Sequence, residues 1–412
     1  MLIGKTGGRF TWMHFASWLI ACVIGMEIGM KPLPYVLGGA AVIAEVFTLF
    51  FFVVAGLLLI SGAVITFARM RSNGFPEKLL RNTVFLSLFL TLAAAFAGLL
   101  FFGVIAPEIP EQVFVFYGKE SFEAQVQESP YFLLKDFHKC SYIPLAGLLL
   151  VGAVPGIILM KKRRTKKDRI FLRWVCRLQQ IAGILTKYLI FLLPVGLVAY
   201  SMLFASELQS MLKSLEMAGE YVLTILLANL LLSFVVLPCL LYCHGIRPFA
   251  VLKNMLPAVL TALFTGSSLL NVPLTLHFAE NNTSNAKKRV ARFVLPLCSI
   301  INRNSSAIFT VVTILVTLQF SGVSVDALML LGIVFFSLIA TVLSFGNPTG
   351  NFLFVLCFLL YADVPIAFLG MSLSLYVFIM CLEACAQVWS DSCICAIVEK
   401  KCLPANGGEQ NS

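Results

Sequence analysis

The chain has 412 residues, 59% of them hydrophobic and 12% charged, with a mean hydropathy of +0.94 and a formal net charge of +10. A soluble domain carries about 25% charged residues, so this chain lacks the polar surface to face water; its 36 Phe exclude a solvated disordered coil as well. At roughly 20 apolar residues per spanning helix, the length allows on the order of eight to ten membrane segments in one polytopic domain.

Taken in chain order, Lys5 and Arg9 precede a first apolar run at 11–30. Its Leu19-Ile20-Ala21-Cys22 looks like a lipoprotein cleavage box, but hydrophobic spans follow at once, and the run reads as an uncleaved first helix. Further spans are expected at 36–67, 83–107, 143–160, 170–206 and 219–243. Basic residues gather between them: Arg69 to Arg81, the run Lys161 to Arg169, and Arg247 with Lys253. The interval Glu108 to Lys139 is acid-rich instead. The positive-inside rule places every basic cluster in the cytoplasm and the acidic loop outside, with helix five leaving to a loop over Glu207–Glu220. Both termini are then cytoplasmic, in a plasma membrane such as a bacterial inner membrane. The basic run has no interleaved aromatics, which argues against nucleic acid as a partner.

Beyond residue 250 simple alternation fails. The stretch 255–279 is one span long yet has basic residues at both ends, Arg247/Lys253 and Lys287 to Arg292. A re-entrant hairpin resolves this, with Gly266-Ser267-Ser268 at its tip. Small polar residues can expose backbone at membrane depth only where protein or a cavity receives it. The stretch 290–320 reads as a full span, and 326–362 as a second hairpin broken at Ser344 to Gly350 by Gly346, Pro348 and Gly350. The last span, 364–398, returns to Lys400. Two interrupted hairpins, each followed by a full helix, suggest an inverted repeat around a midplane site. The expected fold is therefore all-α and polytopic, with about eight transmembrane helices and two re-entrant helical hairpins.

Within the span 290–320 stand Asn302-Arg303-Asn304-Ser305-Ser306. An Arg at the bilayer centre costs at least about 2.5–3.5 kcal/mol and needs a partner or a watery cavity. Glu383, Gln387 and Asp391 in the last span recur at i, i+4 and i+8, which makes a polar stripe on one helix face. Glu383 and Asp391 are the natural partners for Arg303, either as a structural ion pair or as the lining of a solute or ion site shared with the hairpin tips. Most of the 12 Cys lie in apolar runs and act as small hydrophobes. No H-E-x-x-H, G-x-S-x-G or P-loop pattern occurs, so no enzyme class gains support.

These segments resemble the dicarboxylate/amino acid:cation symporter family, the glutamate-transporter-like proteins. The residues that carry the likeness are Val235-Val236-Leu237-Pro238, Asn254-Met255-Leu256-Pro257-Ala258 and Gly266-Ser267-Ser268 to Pro273-Leu274-Thr275. They continue in Phe293-Val294-Leu295-Pro296-Leu297, Ile301 to Ala307, Gly346-Asn347-Pro348, and Gln387 to Asp391. The likeness is densest after about residue 170. It implies a homotrimer working as an elevator. Residues 1–250 would be mainly scaffold and trimerisation helices with part of the transport domain, 251–400 the transport core, and 401–412 a cytoplasmic tail.

The resemblance also assigns roles. Ser267, Ser268 and Ser306, with Gly346 at the second tip, are implied to contact substrate. Asn302 and Asp391 match sodium ligands, so sodium at Asn302 and Asp391 is the one metal it implies. A sodium-binding carboxylate is replaced by Asn304, and a Met beside a sodium by Arg303. Gln387 stands where the family holds the substrate carboxylate with Asn, Glu383 where an Arg binds an acidic side chain, and Met380 where an Asp binds the α-amino group. A carboxylate at position 383 repels an acidic side chain. The expectation is thus a secondary transporter of a small amino-acid-like solute, neutral or cationic at its side chain, with no cofactor and with sodium or a proton as coupling ion. A sodium-independent exchanger and a non-transporting or channel-like member of the same fold are the alternatives.

Overall fold

A computed structural model describes residues 9–30, 34–69, 75–107, 166–217, 219–280, 284–320, 325–344 and 366–402, with isolated positions at Val154, Pro155, Ile158 and Val355. The expected span 143–160, the acidic interval and the second hairpin tip with Gly346 lie outside the described residues, apart from those isolated positions and Ser344.

The elements are α1 (Arg9–Gly29), α2 (Pro34–Arg69), α3 (Phe75–Ile105), α4 (Lys166–Met217) and α5 (Gly219–Leu231). A π-helical turn (Leu232–Val236) joins α5 to α6 (Leu237–Cys243). Then follow α7 (Pro248–Thr265), α8 (Val272–Glu280), α9 (Asn285–Ile301), α10 (Asn304–Phe320), α11 (Ala327–Leu343) and α12 (Ile366–Cys402). Among the described residues, seven helices are long and apolar enough to cross a membrane.

The chain forms helices because its backbone must satisfy itself in hydrocarbon. Its hydroxyls do likewise: Thr83, Thr91, Thr186, Thr310, Thr313 and Thr317 each donate to the carbonyl one turn back. The elements associate in two groups. α1 and α2 pack on α4, and α7 and α9 pack on α12, while α3 runs against α5, α9, α10 and α12. Between α1 and α4 the approach is close enough to require glycine. A Cβ on Gly25 would overlap Ser201 Oγ, and one on Gly29 would overlap the Met202 carbonyl oxygen. This is small-residue helix pairing at i and i+4.

Two expectations are corrected. The proposed loop over Glu207–Glu220 is helical instead, because α4 continues to Met217 before α5 begins at Gly219. The stretch 290–320 is not one continuous helix: α9 ends at Ile301, Asn302 takes an extended conformation (φ −81°, ψ 92°), and α10 starts at Asn304. A break of this kind frees the carbonyls of one turn and the amides of the next. It is also well enclosed. In the segment Lys287–Gln319, 94% of the most apolar stretch is buried, against 33% in Glu77–Ile105.

The first hairpin forms as expected. α7 ends at Gly266 in the left-handed region (φ +62°), where a side chain is strained. The chain turns through Ser267 to Asn271 and returns as α8. Glu280 closes the hairpin against α9 by a two-pronged bond with Arg292, whose Nη2 donates to Oε2 at 2.8 Å. Gly29→Ala should lower stability by about 1–3 kcal/mol through overpacking against the Met202 carbonyl. Gly38→Ala, which meets nothing within 4 Å, should leave the Tm of the purified protein unchanged or slightly raised.

Candidate functional site

The polar residues singled out in sequence converge where the α9–α10 break, the first hairpin tip and the middle of α12 meet. Asn302 is fully buried and uses both amide hydrogens on α12: Nδ2 donates to Ser390 Oγ at 2.9 Å and to Asp391 Oδ1 at 2.8 Å. Asn304 Nδ2 donates to the same Ser390 Oγ at 2.7 Å, and its Oδ1 accepts the Ser305 backbone N–H at 2.9 Å. One turn later Ser306 Oγ donates to Glu383 Oε2 at 2.9 Å. The break thus exposes a short run of side chains that bridges to two turns of α12.

The stripe Glu383, Gln387 and Asp391 does share a face, and all three are buried; Glu383 and Asp391 are each 3% exposed. Arg303 is 5% exposed, and its charge acts on both carboxylates. The expected direct ion pair does not form: neither carboxylate lies within salt-bridge distance of Arg303, and the ion pair found among the described residues is Arg292–Glu280. Asn302 bonds one oxygen of Asp391 and Ser306 one oxygen of Glu383 instead. Arg303 Nε, Glu383 Oε1 and Asn302 Oδ1 have no hydrogen-bond partner among the described residues. Such buried polar atoms are costly unless something arrives to pair with them.

At the hairpin tip, Ser267 Oγ accepts the Leu270 N–H at 3.3 Å, while Ser268 Oγ is buried and unpartnered among the described residues. A Cβ on Gly266 would lie 3.0 Å from Met380 Cε, so the tip sits directly on α12 one turn before Glu383. Sequence reasoning missed Ser390, which gathers both Asn side chains, and Asn271, whose amide donates to the Ala258 carbonyl across the hairpin. Ser390 was accessible from spacing, being three residues after Gln387 on the same face. Asn271 has no periodic signal, because its partner lies on the other arm of the hairpin.

The helix beside α12 contributes too. The π-helical turn at Leu232–Val236 widens the backbone, and the Ser233 carbonyl accepts Trp389 Nε1–H at 3.0 Å. This bond holds α12 at the residue next to Ser390. Among the described residues, no three His, Cys, Asp or Glu side chains gather as metal ligands.

The sequence that carries this hairpin, broken helix and polar final helix has matches among known proteins. The profile of the sodium:dicarboxylate symporter family matches residues 15–401. The chain belongs to that family. The relatives include neutral amino acid transporter A of Homo sapiens, 25% identical over 222 residues, which cover 54% of this chain and 41% of the relative. Neutral amino acid transporter B(0) of Mus musculus is 25% identical over 226 residues, 54% of this chain and 40% of the relative. The putative sodium-dependent excitatory amino acid transporter glt-4 of Caenorhabditis elegans is 27% identical over 351 residues, 83% of this chain and 65% of the relative. The matched region spans less than two thirds of the length of each of these relatives. The family is one of membrane transporters for small solutes rather than of enzymes.

Removing the amide that serves Asp391 tests the bridge. Asn302→Ala should destabilise the protein by about 1.5–3 kcal/mol, the range for a hydrogen bond to a charged group, read as a lower Tm in detergent.

Proposed function

We propose that this family member is a secondary carrier for a small amino-acid-like solute whose side chain is neutral or cationic. The observation that carries the reading is Glu383, a buried carboxylate with one oxygen held by Ser306 and the other, Oε1, unpartnered among the described residues. A negative group in that position repels an acidic side chain and receives an ammonium, a guanidinium or a neutral hydrogen-bond donor. Ser267 and Ser268 at the tip and Ser306 at the start of α10 supply hydroxyl and backbone donors for the solute carboxylate, with Gln387 beside them. The relatives called neutral amino acid transporters agree with a substrate lacking the second carboxylate.

The carrier would work by an elevator motion in a homotrimer, α7 to α12 moving against α1, α2 and α4. The packing of α1 and α2 on α4, and of α7 and α9 on α12, supports that division.

In liposomes, the purified protein is expected to show saturable counterflow of a neutral or cationic amino acid. Glu383→Gln should abolish any preference for the cationic solute over its neutral isostere. An unchanged preference would remove Glu383 from the substrate site, and uptake that never saturates would point to a channel.

A further inference from the structure

Between the two packed groups of helices lies a cavity of about 690 Å³, within the roughly 300–1,000 Å³ of ligand-binding clefts. One wall comes from α2 and the first half of α4, the other from α8 and the first half of α9. Its lining is of two kinds. Leu58, Ile184 and Leu276 are apolar, whereas Gln179, Gln180, His277 and Lys187 offer N–H donors. Arg292 and Glu280 also line it, but they hold each other by the two-pronged bond that closes the hairpin and together carry no net charge. Lys187 is exposed and has no ion-pair partner among the described residues, so it is the cavity's uncompensated cation. None of these residues belongs to the cluster around Asp391.

An ammonium in that position calls for an anion. Ile170–Ser206 of α4 is apolar and long enough to span, but Arg173, Arg177, Gln179 and Gln180 fill its first turns, and the apolar stretch proper begins at Ile181. Lys187 lies six residues further in, about 9 Å along the helix. A lysine stem reaches back over that distance toward the headgroup level, where a bilayer carries its phosphates. The helix is open to lipid here. Ile170, Trp174, Ile181, Ile184 and Tyr188 recur at helical spacing and are all exposed. Ile184 belongs both to that stripe and to the cavity lining, so the cavity opens onto the lipid-facing surface. Gly183 lines it too, and a Cβ there would meet nothing within 4 Å.

We propose that this cavity is a binding site for an anionic phospholipid, its phosphate received by Lys187 with the Gln179 and Gln180 amides and its acyl chain lying along Ile181 and Ile184. A lipid is favoured over a soluble anion by the two kinds of lining, because inorganic phosphate gains nothing from Leu58, Ile184 and Leu276. The leaflet would be the cytoplasmic one. α4 begins with the basic stretch Lys166 to Arg177 and α9 with Lys287 to Arg289, and the positive-inside rule assigns such ends to the side that bears anionic lipid. A lipid seated there touches both groups of helices at once. That it would brake their relative motion rests on the carrier reading above, whereas its binding does not.

The test reads binding alone. The purified full-length protein is heated in detergent with increasing dioleoyl phosphatidylglycerol or dioleoyl phosphatidylcholine, because a ligand of the native state raises Tm in a saturable way. The wild type is expected to show a saturable rise with phosphatidylglycerol that phosphatidylcholine does not give; equal curves overturn the proposal. Lys187→Gln should raise the half-saturating concentration at least about tenfold, the equivalent of one lost charge-assisted contact. Gly183→Leu, which fills the cavity and keeps the lysine, should weaken binding as much. Lys401→Gln, an exposed charge at the end of α12, should leave it unchanged. If Lys187→Gln or Gly183→Leu keeps the wild-type value, or Lys401→Gln shifts it as far, the lipid is read by the basic surface at large and the proposal fails. Should one of the two cavity variants not fold, the other decides. Glycerol 3-phosphate and inorganic phosphate are run beside the lipids with no rise expected; a rise equal to that of phosphatidylglycerol marks a soluble-anion site and overturns the lipid. Loss of solute counterflow has no bearing on these curves, so failure of the carrier reading leaves them standing.

Discussion

The hydrogen bonds from Asn302 and Asn304 to Ser390 and Asp391 hold the break between α9 and α10 against the middle of α12, and the rest of the site depends on them. A helix interrupted at membrane depth exposes backbone groups that no lipid can satisfy, so the interruption persists only where protein groups meet it. The bridge serves both ends of that requirement. It holds Asp391 by the Asn302 amide at 2.8 Å, and it orients the first turn of α10 so that Ser306 reaches Glu383.

Around that bridge the molecule distributes polarity unevenly. α2 and α3 leave large apolar side chains such as Val42, Val46, Phe85 and Phe89 exposed, as lipid-facing helices do. α9, α10, the break between them and the second half of α12 are enclosed, yet they hold the buried charged groups found among the described residues, Arg303, Glu383 and Asp391, together with Asn302, Asn304, Ser305, Gln387 and Ser390. Buried polar groups that all find partners rigidify a core, whereas groups left open mark where something binds or moves. Among the described residues the open atoms include Arg303 Nε, Glu383 Oε1 and Ser268 Oγ, which come from three different elements.

Membership of the sodium:dicarboxylate symporter family speaks to the fold, and the chemistry of this cluster is a separate matter. The elements that build the site are a Gly266 turn, a helix break and a polar α12. Within it stand a buried guanidinium at position 303 and buried carboxylates at positions 383 and 391. Substrate class and ion requirement follow charges and lone pairs rather than the backbone, so a shared fold leaves both open to change.

Composition and spacing alone were enough for the class of solvent, the all-helical architecture, the first hairpin and the face shared by Glu383, Gln387 and Asp391, because each rests on local periodicity or on the sparseness of charge. Gly266 could be located as a tip because Gly and Ser interrupt an apolar run with basic residues at both ends. What remained for tertiary structure was pairing. Opposite charges in sequence suggested that Arg303 would bond to Glu383 and Asp391, but no such pair forms, and Ser306 and Asn302 each bond one oxygen of a carboxylate instead. Ser390 became a hub only because two Asn side chains from another helix reach it, and Asn271 became structural only because Ala258 lies opposite. The sequence by itself determined which residues are polar at membrane depth. Only the packed structure decided which of them satisfy one another and which are left with an open valence, because hydrogen bonds are claimed by distance and direction, which spacing along one helix does not contain.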